Sequence, residues 1–194
     1  MIDKLINNFL KFGSLSQLEK ETIIESTEIK EFTKGDFLLK EGQKSINSYF
    51  VLHGCIRQYN LFDGEEKTTR FFTEDEWVIS VDEISENTVS MHNWICMEDC
   101  ILVTGNEQKA QELFDKFPKL ETISRKIVET AFSEIQRSIL FYHTETPEQR
   151  YLSLVNKSPD ILQRVPQYHI ASYIGIKPGS LSRIRKRITK KNSD

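Results

Sequence analysis

The chain changes its hydrophobic rhythm twice. Residues 2–12 and 15–29 place apolar side chains at helical spacing, with Leu15, Leu18, Ile23 and Ile24 as anchors and Ser14 or Ser16 at an N-cap position. From Ile29 to Val103 the rhythm shortens toward two residues. Lys34-Gly35-Asp36-Phe37-Leu38-Leu39, Tyr49-Phe50-Val51-Leu52, Ile56-Arg57-Gln58-Tyr59 and Thr68-Thr69-Arg70-Phe71-Phe72 read as short strands there. Gly35, Gly42, Gly54 and Asp63-Gly64 punctuate them at turn positions. Strands this short and this closely spaced predict a compact β-barrel or roll.

After Asn106 the pattern is helical again. Pro118 suits a first helical turn, and Leu120, Ile123, Ile127, Ala131, Ile135, Ile139 and Tyr142 follow at three-to-four spacing, which predicts one amphipathic helix of about 25 residues. Such a stripe either packs on its own barrel or pairs with its copy in a dimer. Thr144-Glu145-Thr146-Pro147 breaks it. A further helix is predicted from Pro147 to about Lys157, burying Tyr151, Leu152 and Val155, with Ser158-Pro159 as its stop.

Charge divides the chain where this long helix ends. The whole sequence has 26 Lys and Arg against 29 Asp and Glu, a net charge of −3 that by itself points away from a polyanion partner. Residues 144–194 nevertheless carry ten basic and four acidic residues, whereas the remainder carries 16 basic and 25 acidic. A basic C-terminal unit is joined to an acidic body. Three units follow: 1–112 as a β-rich body, 113–143 as the long helix, and 144–194 as the basic unit.

The basic unit holds the most specific pattern. Two short helices that meet at a sharp angle need a small residue where the backbones touch, a glycine in the turn, and apolar residues on their inward faces. Ala171 and Gly175 meet the first two needs, and Ile170, Ile174, Ile176, Leu181 and Ile184 the third. Pro178 then starts a helix that puts Leu181, Ile184 and Ile188 on one face, with Gly179, Arg183, Lys186 and Lys190 opposite. Ser182 and Arg187 flank that outward face. A cationic, hydroxyl-bearing face suits a helix lying in a major groove. The planar fork of Arg183 fits two acceptors of guanine, while Lys186, Arg187 and Lys190 suit phosphate oxygens.

In this order of parts the chain resembles the Crp/Fnr family of bacterial transcription regulators over essentially its whole length. The residues that carry the resemblance are Gly35-Asp36-Phe37-Leu38-Leu39-Lys40-Glu41-Gly42, Tyr49-Phe50-Val51-Leu52-His53-Gly54-Cys55-Ile56-Arg57 and Asp63-Gly64, then Ile170-Ala171-Ser172-Tyr173-Ile174-Gly175-Ile176 and Leu181-Ser182-Arg183-Ile184. The resemblance implies an α+β fold: an N-terminal double-stranded β-helix (β-roll) with flanking helices, a long dimerisation helix, and a C-terminal winged helix-turn-helix. It implies a cytoplasmic homodimer that binds double-stranded DNA and recruits or blocks RNA polymerase, with Leu120, Ile123, Ile127, Ala131 and Ile135 on the dimer seam. Lys177, Ser180, Ser182, Arg183, Lys186, Arg187 and Lys190 are the residues expected on DNA.

Two departures shape the expectation. Pro178 and Gly179 stand where cyclic-AMP-responsive members resemble one another in a base-reading Arg-Glu pair, so the operator should differ, and only Arg183 matches a base-reading arginine of the family. The stretch from about Ile79 to Asn93, with Ser80, Val81, Asp82 and Glu83, has no arginine for a cyclic phosphate. From Arg70 to Lys109 there is no intervening Lys or Arg, while nine acidic residues lie between them. An anionic phosphate would meet repulsion there rather than charge-assisted donors. Cyclic nucleotides are therefore not expected to bind, unless Arg57, Lys67 or Arg70 reaches in, and the effector stays unassigned.

Other chemistry finds no motif. Cys55, Cys96 and Cys100 are too few for a disulfide framework or a four-cysteine iron–sulfur site, and Cys96 and Cys100 read as small buried residues. His53, His92, His143 and His169 are scattered, and no HExxH, GxSxG, P-loop or GxGxxG occurs, so neither a metal, a cofactor nor an enzyme is expected. No apolar run is long enough to span a membrane. The competing reading is a roll-fold interaction protein whose C-terminal unit binds a protein partner.

Overall fold

The computed structural model describes residues 1–44, 47–80 and 89–191. Two short helices, α1 (Asp3–Leu10) and α2 (Gln17–Ser26), precede eight strands: β1 (Glu28–Phe32), β2 (Phe37–Leu39), β3 (Ser48–His53), β4 (Ile56–Phe62), β5 (Glu65–Phe72), β6 (Trp77–Val78), β7 (Asn93–Cys96) and β8 (Cys100–Gly105). Of the two candidate caps, Ser16 is the one used: it forms a capping box with Glu19. Leu18 and Ile24, expected as anchors, are exposed, because Ile23 alone of that group turns fully into the core.

The strands form two antiparallel four-stranded sheets, ordered β1-β8-β3-β6 and β2-β7-β4-β5. Asp63 and Gly64 both take positive φ, 50° and 76°, between the paired ends Phe62 and Glu65. This two-residue turn matches the right-handed twist of the flanking strands, which is why an Asp-Gly pair joins β4 to β5.

Strict alternation explains the dense apolar runs. In β3, Tyr49 and Val51 face the interior of the roll with Trp94 and Leu102, while Phe50 and Leu52 face outward onto Leu5, Ile6, Ile23, Leu120, Ile123 and Ile127. In the other sheet Ile56 and Phe72 point inward, whereas Cys55 and Phe71 point outward into a third apolar cluster. The central part of each sheet is covered on both faces, which is why β3 is apolar in both of its side-chain rows, while β1 and the start of β5 stay exposed and polar. Each Phe or Leu buried in this way contributes roughly 1.5–3 kcal/mol.

Six helices follow: α3 (Glu107–Lys116), α4 (Pro118–Thr144), α5 (Pro147–Lys157), α6 (Ile161–Arg164), α7 (Gln167–Tyr173) and α8 (Pro178–Lys191). The boundary expected at 112/113 falls inside α3; the break is at Phe117, whose extended backbone precedes Pro118. In α5 Tyr151 is buried as expected, but Leu152 is exposed and Leu154 buried instead, because the face toward the third cluster is set by Tyr151 and Leu154. A β-wing, expected of the C-terminal unit, is not present among the described residues. Every strand there lies between Glu28 and Gly105, and the segments flanking α7 and α8 have helical rather than alternating periodicity.

The third cluster joins the two ends of the chain. Cys55, Phe71 and Met97 of the roll pack with Tyr151, Leu154, Ile161, Val165, Ile170, Ala171, Ile174 and Leu181, so α5–α8 form the outer layer over the β2-β7-β4-β5 sheet. The helical domain and the roll share this seam.

Candidate nucleic-acid interface

Helices α7 and α8 are joined by a turn whose geometry follows from one glycine. Ile176 N–H donates to the Ala171 carbonyl at 2.9 Å and Gly175 N–H to the Ser172 carbonyl at 3.1 Å, with Gly175 at φ 75°. This is a Schellman closure of α7, and the left-handed residue in it favours glycine. A side chain there would also collide, since a Cβ would lie 2.6 Å from the Tyr142 hydroxyl at the end of α4. Ile170, Ala171, Ile174 and Leu181 are fully buried, and Ile176 and Ile184 pack partly buried against them.

Arg150 of α5 fastens this turn to the hinge after α4. Its Nε and Nη2 donate to the Ile174 carbonyl at 3.1 and 2.9 Å, its Nη1 donates to the Tyr142 and Glu145 carbonyls, and its guanidinium lies 4.7 Å from the Tyr142 ring centre. Five donors in a fixed fork permit this; lysine could not reproduce it. The sequence pattern had no signal for Arg150, because all its partners are backbone carbonyls brought close by folding.

Along α8 the outward side is exposed and cationic. Lys177, Ser182, Arg183, Lys186, Arg187 and Lys190 are exposed and Ser180 half-buried. Ser182, Lys186 and Lys190 line a shallow groove together with Arg185 and Thr189, two residues that the sequence pattern did not place on this face. Arg183 donates to the Ser180 hydroxyl at 3.1 Å, and Arg187 is ion-paired with Glu148 of α5. Arg187 is thus committed within the helical domain, whereas Arg183, Lys186 and Lys190 project from the face opposite Leu181.

The seam beneath this domain is rich in charge. Arg164 of α6 donates to Glu74 at 2.9 Å, to Glu98 at 2.6 Å and to Asp160 at 2.9 Å. Burial alone would lower the Arg164 pKa, but the hydrogen bonds that Arg164 donates to the Glu74 and Glu98 carboxylates outweigh it and raise it. Burial likewise opposes the Glu74 charge, yet Arg164 and the Gly54 N–H hold its carboxyl below the usual range. Lys157 pairs with Glu76 at 2.7 Å, and the Ser172 hydroxyl sits between the Thr68 N–H and the Glu66 carbonyl on the edge of β5. Ionised His169 is disfavoured by burial first and by neighbouring Arg57 second, which brings its pKa down to about 4.

Arg57, Lys67 and Arg70, the cations named as able to reach a phosphate inside the roll, are each paired with a carboxylate. Arg57 shares the outward row with Phe71 and Ile95, is ion-paired with Glu66, and stacks 4.1 Å over Tyr59. Arg70 pairs with Glu134 of α4 at 2.8 Å. The stretch 81–88, with Val81, Asp82 and Glu83, lies outside the described residues.

Leu120, Ile123 and Ile127, expected on a dimer seam, are buried within this chain against α1 and the outer sheet face. The correction has a geometric cause: the stripe runs obliquely around α4, and its first half lies over Phe50, Leu52 and Val103. Ala131 and Ile135 are half-buried, and beyond them Phe132 and Ile139 are 47% and 56% exposed.

The β-roll is followed by the long helix α4 and the shorter helices α5–α8, and known proteins share this order. Residues 29–117 match the family model of the cyclic nucleotide-binding domain. FixK2 from Bradyrhizobium japonicum is similar at TM-score 0.69 and 15% identity, with 86% of each chain covered. The c-di-GMP-responsive global regulator CLP of Xanthomonas campestris is similar at TM-score 0.67 and 14% identity, covering 91% of this chain and 93% of its own. A protein from Eubacterium rectale assigned to the Crp/Fnr family of transcriptional regulators gives TM-score 0.67 and 16% identity, with 91% and 85% covered. No curated protein matches in sequence. The chain therefore shares its fold with these solved structures over most of its length, and residues 29–117 match the cyclic nucleotide-binding domain model.

Proposed function

We propose that this chain is a one-component transcription regulator that binds operator DNA as a homodimer, with the roll as sensor and α7–α8 as reader. The observation that carries the reading is the exposed cationic side of α8 set directly opposite a fully buried Leu181. Lys177, Ser180, Ser182, Arg183, Lys186 and Lys190 are the residues assigned to DNA, with Arg183 reading a base and the lysines meeting phosphates. Arg187 joins them once it leaves Glu148. The proposed dimer seam moves to the second half of α4, where Val128, Ala131, Phe132, Ile135 and Ile139 form the apolar stripe that the roll leaves uncovered. A two-fold dimer would read two half-sites about 34 Å apart. RNA polymerase is the downstream partner in this reading, the cytoplasm its compartment, and chemistry on a substrate forms no part of it.

The roll's effector in this reading is not a cyclic nucleotide, because Arg57 and Arg70 already have carboxylate partners. Titration of duplex DNA at several salt concentrations tests the proposal. Three to five phosphate contacts per protomer predict a log–log slope of roughly −5 to −9 for the dimer. Binding that is insensitive to salt, or binding of a protein in preference to DNA, would favour the interaction-module reading instead.

A further inference from the structure

Over Pro178–Lys191, the whole of α8, there are six basic residues and no acidic one. A counter-charge for this helix has to come from another element, and α5 supplies one: the Glu148 carboxylate is ion-paired with Arg187. The two partners differ in their setting. Arg187 is 58% exposed and open to an outside acceptor, whereas Glu148 is 23% exposed. Arg187 follows Arg183 by one helical turn, so the two guanidinium groups leave α8 on the same side.

Glu148 is placed by its own helix rather than by Arg187. Pro147 and a capping box of Thr146 with Gln149 set the first turn of α5, in which Glu148 lies. Negative charge in a first turn is favoured by the helix dipole, independently of α8. Two residues on, Arg150 donates twice to the Ile174 carbonyl, at 3.1 and 2.9 Å, and keeps this turn of α5 beside the α7–α8 turn. The carboxylate is therefore anchored next to α8, and Arg187 reaches it with a long side chain from the outer surface.

We propose that Glu148 is an internal counter-ion that holds Arg187 in place of a DNA phosphate, so that it limits affinity for all DNA without changing which sequence is preferred. The inference rests on the reading of α8 as the helix that meets DNA. A carboxylate and a phosphate accept from the same guanidinium donors, so the two compete for Arg187. For a phosphate to win, the pair must break and a half-buried carboxylate must remain beside a second anion, which Coulomb repulsion opposes. Arg187 thus stays on Glu148 in the complex, and the lysines of α8 make the phosphate contacts. Because phosphate contacts carry no base information, the one withheld here lowers binding to operator and unrelated DNA alike.

The test uses the full-length protein and two duplexes of about 30 base pairs, one A·T-rich and one G·C-rich, long enough for two half-sites about 34 Å apart. Glu148→Gln keeps the side-chain volume and removes the charge. It should add one phosphate contact per protomer, so the dimer should bind both duplexes about tenfold more tightly, with a log–log salt slope steeper by about 2. Glu148→Ala should give the same gain. A variant that failed to fold could not bind more tightly, so a gain is not open to that misreading. The loss caused by Arg187→Gln should be at least about fivefold larger in the Glu148→Gln background than in the wild type, since only there does Arg187 meet phosphate.

A wild type that binds DNA while both Glu148 variants bind no better would overturn this inference and leave the assignment of α8 intact. So would a gain that survives Arg187→Gln, which would mark general charge removal, or a gain on one duplex alone. A wild type and variants that all fail to bind either duplex would instead overturn the reading of α8 itself, and this inference with it.

Discussion

Removing the Arg164 side chain should split one folding unit into two. Its guanidinium is 13% exposed and faces Glu74 and Glu98, which are 26% and 30% exposed. Deleting one partner of a fully buried pair costs roughly 3–5 kcal/mol, because the other charge is left desolvated and unpaired. Here water reaches the carboxylates in part, so Arg164→Ala is expected to cost about 2 kcal/mol. For a chain of this size that is a fall of about 4–8 °C in melting temperature. The assay can distinguish the two sides of the seam. Both tryptophans, Trp77 and Trp94, belong to the roll, so fluorescence follows the roll while far-ultraviolet dichroism is dominated by the helices. In the wild type the two denaturation curves should coincide, and in Arg164→Ala the dichroism curve should move to lower urea ahead of fluorescence. A cycle with Glu98→Gln should give a coupling energy of at least about 0.5 kcal/mol. The Glu74 carboxyl is held below its unfolded value, so its share of the stability is fully present above that value and is lost as pH falls through the depressed folded one. A cost under about 0.5 kcal/mol, or no coupling to Glu98, would show that Arg164 is an ordinary surface pair and refute the argument.

Gly175→Ala, read by thermal melting, should destabilise by roughly 1–3 kcal/mol, the left-handed backbone contributing about 1–2 and the Tyr142 contact the rest, with Tyr142→Phe recovering part of the loss. The His169 pKa of about 4 lies below the unfolded value, so the unfolded state binds the proton first and stability should fall as pH drops from about 6.5 to about 4. Arg57 and Glu66 face that ring, and His169→Gln should remove up to about 1.4 kcal/mol per pH unit of the dependence measured by urea denaturation. In sedimentation, Ile139→Glu should give a folded monomer, whereas Ile123→Glu should unfold the protein; a dimer unaffected by Ile139→Glu would remove the second half of α4 from the interface. In binding assays, Arg183→Ala should relax sequence preference at one base pair by about 1–3 kcal/mol, while Lys186→Ala should weaken all sequences alike and reduce the salt slope by about one; equal, sequence-independent effects would undo the assignment.

Patterns confined to one segment were legible directly. The two-residue alternation of β3 and β4, the Asp63-Gly64 turn, Pro118 and Pro147 at helix starts, and the α7–α8 turn around Gly175 all rest on neighbours within a few residues, where backbone sterics and local hydrogen bonds decide. The charge division was legible too, because it is a sum over composition. What each apolar face packs against was not. The stripe of α4 is continuous in sequence, yet its first half covers the outer face of the roll while Phe132 and Ile139 stay exposed, a division set by where the sheet ends. Arg150, Arg164 and Arg185 had no signal of their own, since the partners of Arg164 lie 66 and 90 residues away and those of Arg150 are main-chain carbonyls. Local propensity specified the elements; only the folded chain, by stacking α5–α8 on the β2-β7-β4-β5 sheet, decided which charges pair across the seam and which cations remain on the outer side of α8.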